Sequence, residues 1–249
     1  LDRFLPKADL YPSAIHAAMR YSVFAGGKRL RPILVIAGAE AAGGSAEDVM
    51  PTACAVELIH TYSLIHDDLP AMDDDEYRRG LPTSHKVFGE AIAILAGDAL
   101  LTLAFRLLAE NFAGGRATTA ARNPGRLREI LAEITEAAGT FGMIGGQVVD
   151  VQSEGKSVSP ETLEYIHTHK TAALIRASLR AGALLVRAPQ EVLDAMSVAG
   201  SRLGFAFQIV DDILDEKGSL EELGKTAGSD RRKKKVTYPG QFGLEASRV

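Results

Sequence analysis

Cysteine is almost absent from the chain. Cys54 is the single example, so no internal disulfide can form and a reducing, cytoplasmic setting is expected. It lies in the apolar segment Ala53–Leu58 and reads as a packed core thiol rather than a nucleophile. An excess of positive charge is also missing: 28 Lys and Arg stand against 32 Asp and Glu, which gives no reason to expect nucleic-acid binding. The longest apolar stretch, Ala91–Leu108, contains Asp98 and Arg106, and reads as a buried helix rather than a membrane span. The N-terminus lacks a basic start followed by a continuous apolar core, so no signal peptide is read there. There is no nucleophile elbow, phosphate-binding P-loop, dinucleotide glycine fingerprint or zinc-type Cys/His spacing. His167 and His169, two apart on a helix, face different directions and are not expected to share a metal.

β-Branched runs are scarce too, and nearly every segment carries helical rather than period-two patterning. The pattern predicts helices over Ser13–Ala25, Arg31–Ala42, Ala46–Asp68, Gly89–Asn111, Pro124–Ser153, Pro160–Val186 and Gln190–Glu216. Ser159-Pro160-Glu161 is a helix start, with a capping serine, a first-turn proline and an acid at the positive helix end. Breaks fall at Gly43-Gly44, Gly114-Gly115, Gly155 and Ala188-Pro189, and Ala113–Asn123 reads as a flexible surface loop. With no repeat and no long linker, residues 1–249 read as one all-α domain. The segments Ala91–Leu108 and Thr171–Val186 are apolar on most sides, as central helices are, or helices covered by a second subunit.

Two acidic clusters stand out against this background: Asp67-Asp68-Leu69-Pro70-Ala71-Met72-Asp73 and Asp211-Asp212-Ile213-Leu214-Asp215. Each follows an apolar helical run, where unpaired buried charge is expensive. Something cationic belongs between them. Magnesium commonly bridges a few carboxylates to substrate phosphates, so the clusters predict one polyphosphate-binding metal site built from two helices. Asp211 and Asp215 lie about 40° apart around a helix, with Asp212 beside them. Asp67 and Asp73 would diverge by about 120° on an ideal helix, so their cooperation requires a distortion near Pro70. Failing that, Asp74 is the geometric substitute.

Basic residues accompany both clusters. Gly26-Gly27-Lys28-Arg29-Leu30-Arg31-Pro32 supplies three cations at a glycine-led helix start, and Arg78-Arg79-Gly80 follows the first acidic run. Lys170-Thr171 sits inside an apolar helix, and Lys225 and Lys235 flank the chain after the second cluster. Guanidinium forks and ammonium groups suit diphosphate oxygens.

These residues, together with the run Ile59–Asp73, His169-Lys170-Thr171 and Phe207–Asp215, resemble the trans-isoprenyl diphosphate synthases (polyprenyl synthetases), nearest to the bacterial farnesyl type, over roughly residues 25–240. The resemblance implies a single large bundle of antiparallel helices around a central cavity. It implies that Asp67, Asp73, Asp211, and with them Asp68, Asp212 and Asp215, coordinate or orient three Mg²⁺ around an allylic diphosphate. Arg78, Lys170 and Lys225 would contact that diphosphate, with Thr171 and Gln208 lining its site. Lys28, Arg31, His60 and Arg79, at the Gly27 turn, would bind isopentenyl diphosphate, and Lys235 would lie near a closing lid. Tyr62, five residues before Asp67 and next to Ser63, would form the floor that sets product length. A homodimer without a membrane span is implied, as are further terminal residues beyond the present ends. The expected product is farnesyl diphosphate. The alternatives are geranylgeranyl diphosphate, a class I terpene synthase or a non-catalytic partner subunit. The run Arg231–Lys235 is more basic than the resemblance suggests.

Overall fold

The computed structural model describes residues 1–113, 124–217 and 235–248. The helices are α1 (Ser13–Phe24), α2 (Leu30–Ala41), α3 (Ala46–Asp67), α4 (Ser84–Phe88), α5 (Glu90–Ala113), α6 (Pro124–Ala138), α7 (Met143–Ser153), α8 (Pro160–Ile166), α9 (Ala173–Leu185), α10 (Gln190–Lys217) and α11 (Tyr238–Phe242). A two-stranded antiparallel hairpin, β1 (Tyr77–Arg78) and β2 (Leu81–Pro82), lies between α3 and α4. The fold is an all-α bundle, as the helical periodicity predicts.

Most predicted boundaries hold to within about two residues, with two exceptions. Pro124–Ser153 is not one helix: Gly139 to Gly142 separates α6 from α7, where two poor helix formers bracket Thr140 and Phe141. Pro160–Val186 is likewise interrupted, by a π-helical turn over His167–Ala172. The start of α8 follows its sequence signal, with Thr162 N donating to Ser159 Oγ at 3.3 Å. The expected loop at Ala113–Asn123 lies, past Ala113, outside the described residues.

The core forms where α3 packs on α5 and α2 on α9. Leu58 and Ile59 on α3 and Leu100 and Leu107 on α5 are fully buried, each stabilising the fold by roughly 1.5–3 kcal/mol. Pro51 interrupts the α3 hydrogen-bond ladder, and α5 repairs it: Thr52 N donates to Asn111 Oδ1 at 3.1 Å while Asn111 Nδ2 donates to Asp48 O at 2.8 Å. Between α2 and α9 the backbones nearly touch. A Cβ on Gly38 would lie 2.0 Å from the Leu179 carbonyl oxygen, and one on Gly182 would lie 1.9 Å from that of Val35.

The two apolar helices have different fates. α9 is buried along most of its length, as a central helix. α5 is buried only on the side of Ala93, Ala96, Leu100, Ala104 and Leu107, while Ile94, Leu95 and Phe105 are exposed. α5 is therefore not a central helix, and of the two expected alternatives its exposed apolar side leaves coverage by a second subunit. By length and composition α5 could cross a membrane, but in this fold it is one wall of the bundle.

Candidate active site

α3 ends at Asp67, and the next residues turn back instead of continuing the helix. Asp73 N donates to Asp67 O at 2.7 Å, and Asp74 N donates to Leu69 O at 3.0 Å. The distortion expected near Pro70 is present, and it returns Asp73 beside Asp67. Both carboxylates, with Asp211 of α10, line a cavity of about 170 Å³ that also meets Asp150, Lys170 and Lys235. Burial raises the Asp67 carboxyl to about 6, with the Asp73 charge adding to the rise and Lys170, Arg78 and Lys235 opposing it. A carboxylate held this reluctantly in its charged form is one that a cation would relieve.

The remaining predicted acids have protein partners or are enclosed. Asp68 is buried and receives Arg78 as a fork, with Nε at 2.7 and 2.9 Å from its two oxygens. Burial still raises the Asp68 carboxyl, against the pull of Arg78. Asp212 accepts from Gln208 Nε2 and from Tyr238 N, each at 2.8 Å. Asp215 is buried. Among the described residues no three Asp, Glu, His or Cys side chains form a ready-made metal cluster. This donor set fits magnesium held by one or two carboxylates and completed by substrate phosphates and water. Asp67, Asp73 and Asp211, which line the small cavity together, would be the residues to hold it.

A larger cavity of about 1090 Å³ adjoins the first and shares Asp67, Arg78, Lys170, Thr171, Gln208 and Asp211 with it. Its other end is cationic. Gly26 and Gly27 have φ of 97° and 120°, Arg29 has φ of 51°, and α2 begins at Leu30. The turn admits Arg79, whose guanidinium donates to Gly26 O and lies so close that a Cβ on Gly27 would be 2.5 Å from its Cζ. Arg79 and Gly80, with φ of 54° and 78°, make the two-residue turn of the β1–β2 hairpin, in the left-handed form that such hairpins favour. The hairpin thus delivers Arg78 to the acidic end and Arg79 to the basic end. Burial lowers the Arg31 guanidinium to about 10, against the attraction of Glu57. His60 is pushed well below its ordinary range by burial and by the surrounding Arg31, Arg79, Arg78 and Arg29. Lys28 Nζ stands 5.3 Å over the Phe207 ring, a cation–π distance.

The π-helical turn places Lys170 and Thr171 together on the cavity wall. Lys170 Nζ is 2.6 Å from Asp150 Oδ2, and Thr171 Oγ1 donates to Gln208 Oε1 at 2.6 Å. His169 leaves the site and stacks on Tyr165 at 3.8 Å, so it does not join His167. Lys235 Nζ lies 2.7 Å from Asp73 Oδ1. Away from the charges the large cavity becomes apolar, lined by Met143, Ile144, Val148, Val151 and Phe207. Tyr62 and Ser63 line it from α3; Tyr62 is 7% exposed and meets His66 edge-on at 5.7 Å. Lys225 and Arg231–Lys234 lie outside the described residues.

Sequence reasoning missed Asp150, Gln147 and Glu57, the partner of Arg29. Glu57, 1% exposed, meets Arg29 at 2.5 Å beside Arg31 and Arg79. Its signal was available, since an acid inside an otherwise apolar helix needs a cationic partner.

An all-α bundle with acidic and basic walls facing one cavity suits a transferase that handles diphosphates. The sequence matches the polyprenyl synthetase family model over residues 12–248. It is 49% identical to the farnesyl diphosphate synthase of Bacillus subtilis over 100% of this chain and 81% of that protein. It is 50% identical to the heterodimeric geranylgeranyl pyrophosphate synthase large subunit 1 of Arabidopsis thaliana, over 100% of this chain and 66% of that protein. The crystal structure of a geranyltransferase from Helicobacter pylori, complexed with magnesium and isoprenyl diphosphate, matches with a TM-score of 0.87 at 34% identity, covering 99% of this chain and 82% of that one. The chain belongs to the polyprenyl synthetase family, a family of trans-prenyltransferases. It spans 66% to 82% of the length of these relatives.

Proposed function

We propose that the protein condenses isopentenyl diphosphate with dimethylallyl or geranyl diphosphate, and that its main product is farnesyl diphosphate. One observation carries the reading: a single cavity is lined by the carboxylates Asp67 and Asp211 with Lys170, by the cations of the Gly27 turn and the hairpin, and by apolar side chains together with Tyr62. The allylic diphosphate would sit against Asp67, Asp73, Asp211, Arg78 and Lys170. Isopentenyl diphosphate would sit against Gly27, Lys28, Arg31, His60 and Arg79. Bound magnesium, three ions in the family's pattern, would supply the charge that stabilises the departing pyrophosphate. Arg78 and Lys170 add fixed positive charge where that negative charge develops. The isopentenyl double bond then attacks the allylic C1, and a proton is lost to the pyrophosphate. Apolar walls keep water from the cation meanwhile, and no protein nucleophile is needed.

Tyr62 supports farnesyl diphosphate, because an aromatic side chain buried in the channel limits its depth. Relatives carry both farnesyl and geranylgeranyl names, so product length is the measurement that matters. Incubation with Mg²⁺, isopentenyl diphosphate and each allylic diphosphate should yield mainly farnesyl product by chromatography. Product from an allylic diphosphate alone would mark a terpene synthase. No elongation from any pair would sink the assignment, leaving the partner-subunit reading.

The exposed Ile94, Leu95 and Phe105 of α5 support a homodimer formed on that helix. Light scattering behind a sizing column measures it directly.

A further inference from the structure

Asp212 differs from the other acids of its cluster in how completely the protein occupies it. It is 4% exposed. Its Oδ1 accepts from Gln208 Nε2 at 2.8 Å, its Oδ2 accepts from the backbone N–H of Tyr238 at 2.8 Å, and His167 Nε2 lies 3.3 Å from the same Oδ2. These partners come from three elements: α10 itself, the first residue of α11, and the π-helical turn. Aromatic rings seal the node, since His167 stacks with Tyr238 at 6.2 Å and meets Phe205 edge-on at 5.7 Å. A carboxylate offers about four lone-pair positions, and protein partners already engage most of those of Asp212. Asp211, one residue earlier, lines both cavities, whereas Asp212 reaches only the smaller one.

What the node holds is informative. Tyr238 is three residues beyond Lys235, whose ammonium lies against Asp73. Gln208, the other partner, accepts from Thr171 next to Lys170. Fixing Asp212 therefore fixes both lysine-bearing segments relative to the first acidic cluster. We propose that Asp212, with His167, is a positioning residue rather than a metal ligand: it docks the segment around Tyr238 on α10 and so sets Lys235 against Asp73. The proposal rests on the prenyltransferase reading for its kinetic consequence, but the docking itself does not depend on it.

The test uses the full chain with Asp212→Asn, His167→Phe, His167→Gln and Asp211→Asn. Asp212→Asn and His167→Phe should raise the KM for the allylic diphosphate about tenfold, the scale seen when groups that orient ligands are removed. Their half-saturating Mg²⁺ should stay close to that of the parent, because under this proposal neither side chain touches the metal. Deuterium uptake at residues 235–242 should rise in both variants and return to the parent level in His167→Gln, which keeps a donor near Nε2. Asp211→Asn should do the reverse, raising the Mg²⁺ requirement without changing that uptake. Asp212→Asn added to Lys235→Ala should cost less than the sum of the two single changes, because part of the Asp212 effect passes through Lys235. The proposal is overturned if Asp212→Asn raises the Mg²⁺ requirement as Asp211→Asn does, or if uptake at 235–242 is unchanged in Asp212→Asn and His167→Phe. If the parent elongates no substrate, the functional reading fails while the exchange measurements still decide the docking.

Discussion

The backbone amide of Asp73 donates to the carbonyl oxygen of Asp67 across 2.7 Å, closing a six-residue return at the end of α3. On a continuing helix the two side chains would point far apart. The return lets both carboxylates line the same small cavity, and Asp74, the alternative by spacing, does not line it.

If those carboxylates hold magnesium opposite Asp211, neutral isosteres should remove the chemistry and spare the fold. Asp67→Asn and Asp211→Asn are each expected to lower kcat about a hundredfold or more, the cost of losing a group that stabilises transition-state charge. Circular dichroism should remain helical. Activity near the parent level in either variant would contradict the metal role.

No three acidic, histidine or cysteine side chains form a metal cage among the described residues, so metal and diphosphate should bind jointly. Thermal melting should shift little with Mg²⁺ alone or inorganic pyrophosphate alone, and by several degrees with both, as ligand linkage requires. An equal shift from Mg²⁺ alone would show a preformed site.

Tyr62 is buried against the channel and its ring meets His66. Tyr62→Ala should open the channel and move the product distribution to geranylgeranyl or longer chains by chromatography. It should also cost about 3 kcal/mol or more in stability, the scale of aromatic truncation in a core. Unchanged product length in a folded variant would show that the floor is elsewhere.

Gly27 lies against the Arg79 guanidinium, leaving no room for a side chain. Gly27→Ala should displace Arg79 and raise the KM for isopentenyl diphosphate about tenfold or more, with the allylic KM little changed. A parallel rise in both would mean that the two diphosphates do not use separate ends of the cavity.

His60 is held neutral, chiefly by burial and then by four neighbouring arginines. Its folded pKa is depressed, so below the ordinary histidine value of about 6.5 the unfolded chain binds a proton that the folded one refuses. Stability is therefore expected to fall as pH drops from about 6.5 towards the folded pKa. His60→Gln should flatten melting temperature against pH in that window. An identical slope in the variant would assign the effect to other groups.

The sequence itself determined the helical class, most helix boundaries and the residues that carry charge into the site. Those signals are local: a 3.6-residue apolar period, a Ser-Pro-Glu start at Ser159 and acids where a buried helix would otherwise continue. The resemblance of the ordered motifs then assigned those charges to two diphosphates. Glu57, an acid in an apolar run, signals that a cation must meet it but not which one, and Asp150 carries no such signal. Their partners, Arg29 and Lys170, are distant in sequence.

Tertiary structure alone decided which of the clustered carboxylates face the cavity. By composition Asp67, Asp68, Asp211 and Asp212 are two identical pairs. In the fold Arg78 takes Asp68, while Gln208 and Tyr238 take Asp212, which reaches only the smaller cavity, leaving Asp67 and Asp211 on the walls of both. Adjacent helical residues differ by about 100° in direction, and only the packing of other elements can turn that difference into separate tasks. The same reason divides the two apolar helices: their patterns match, but α9 is enclosed by neighbours and α5 keeps one apolar face exposed.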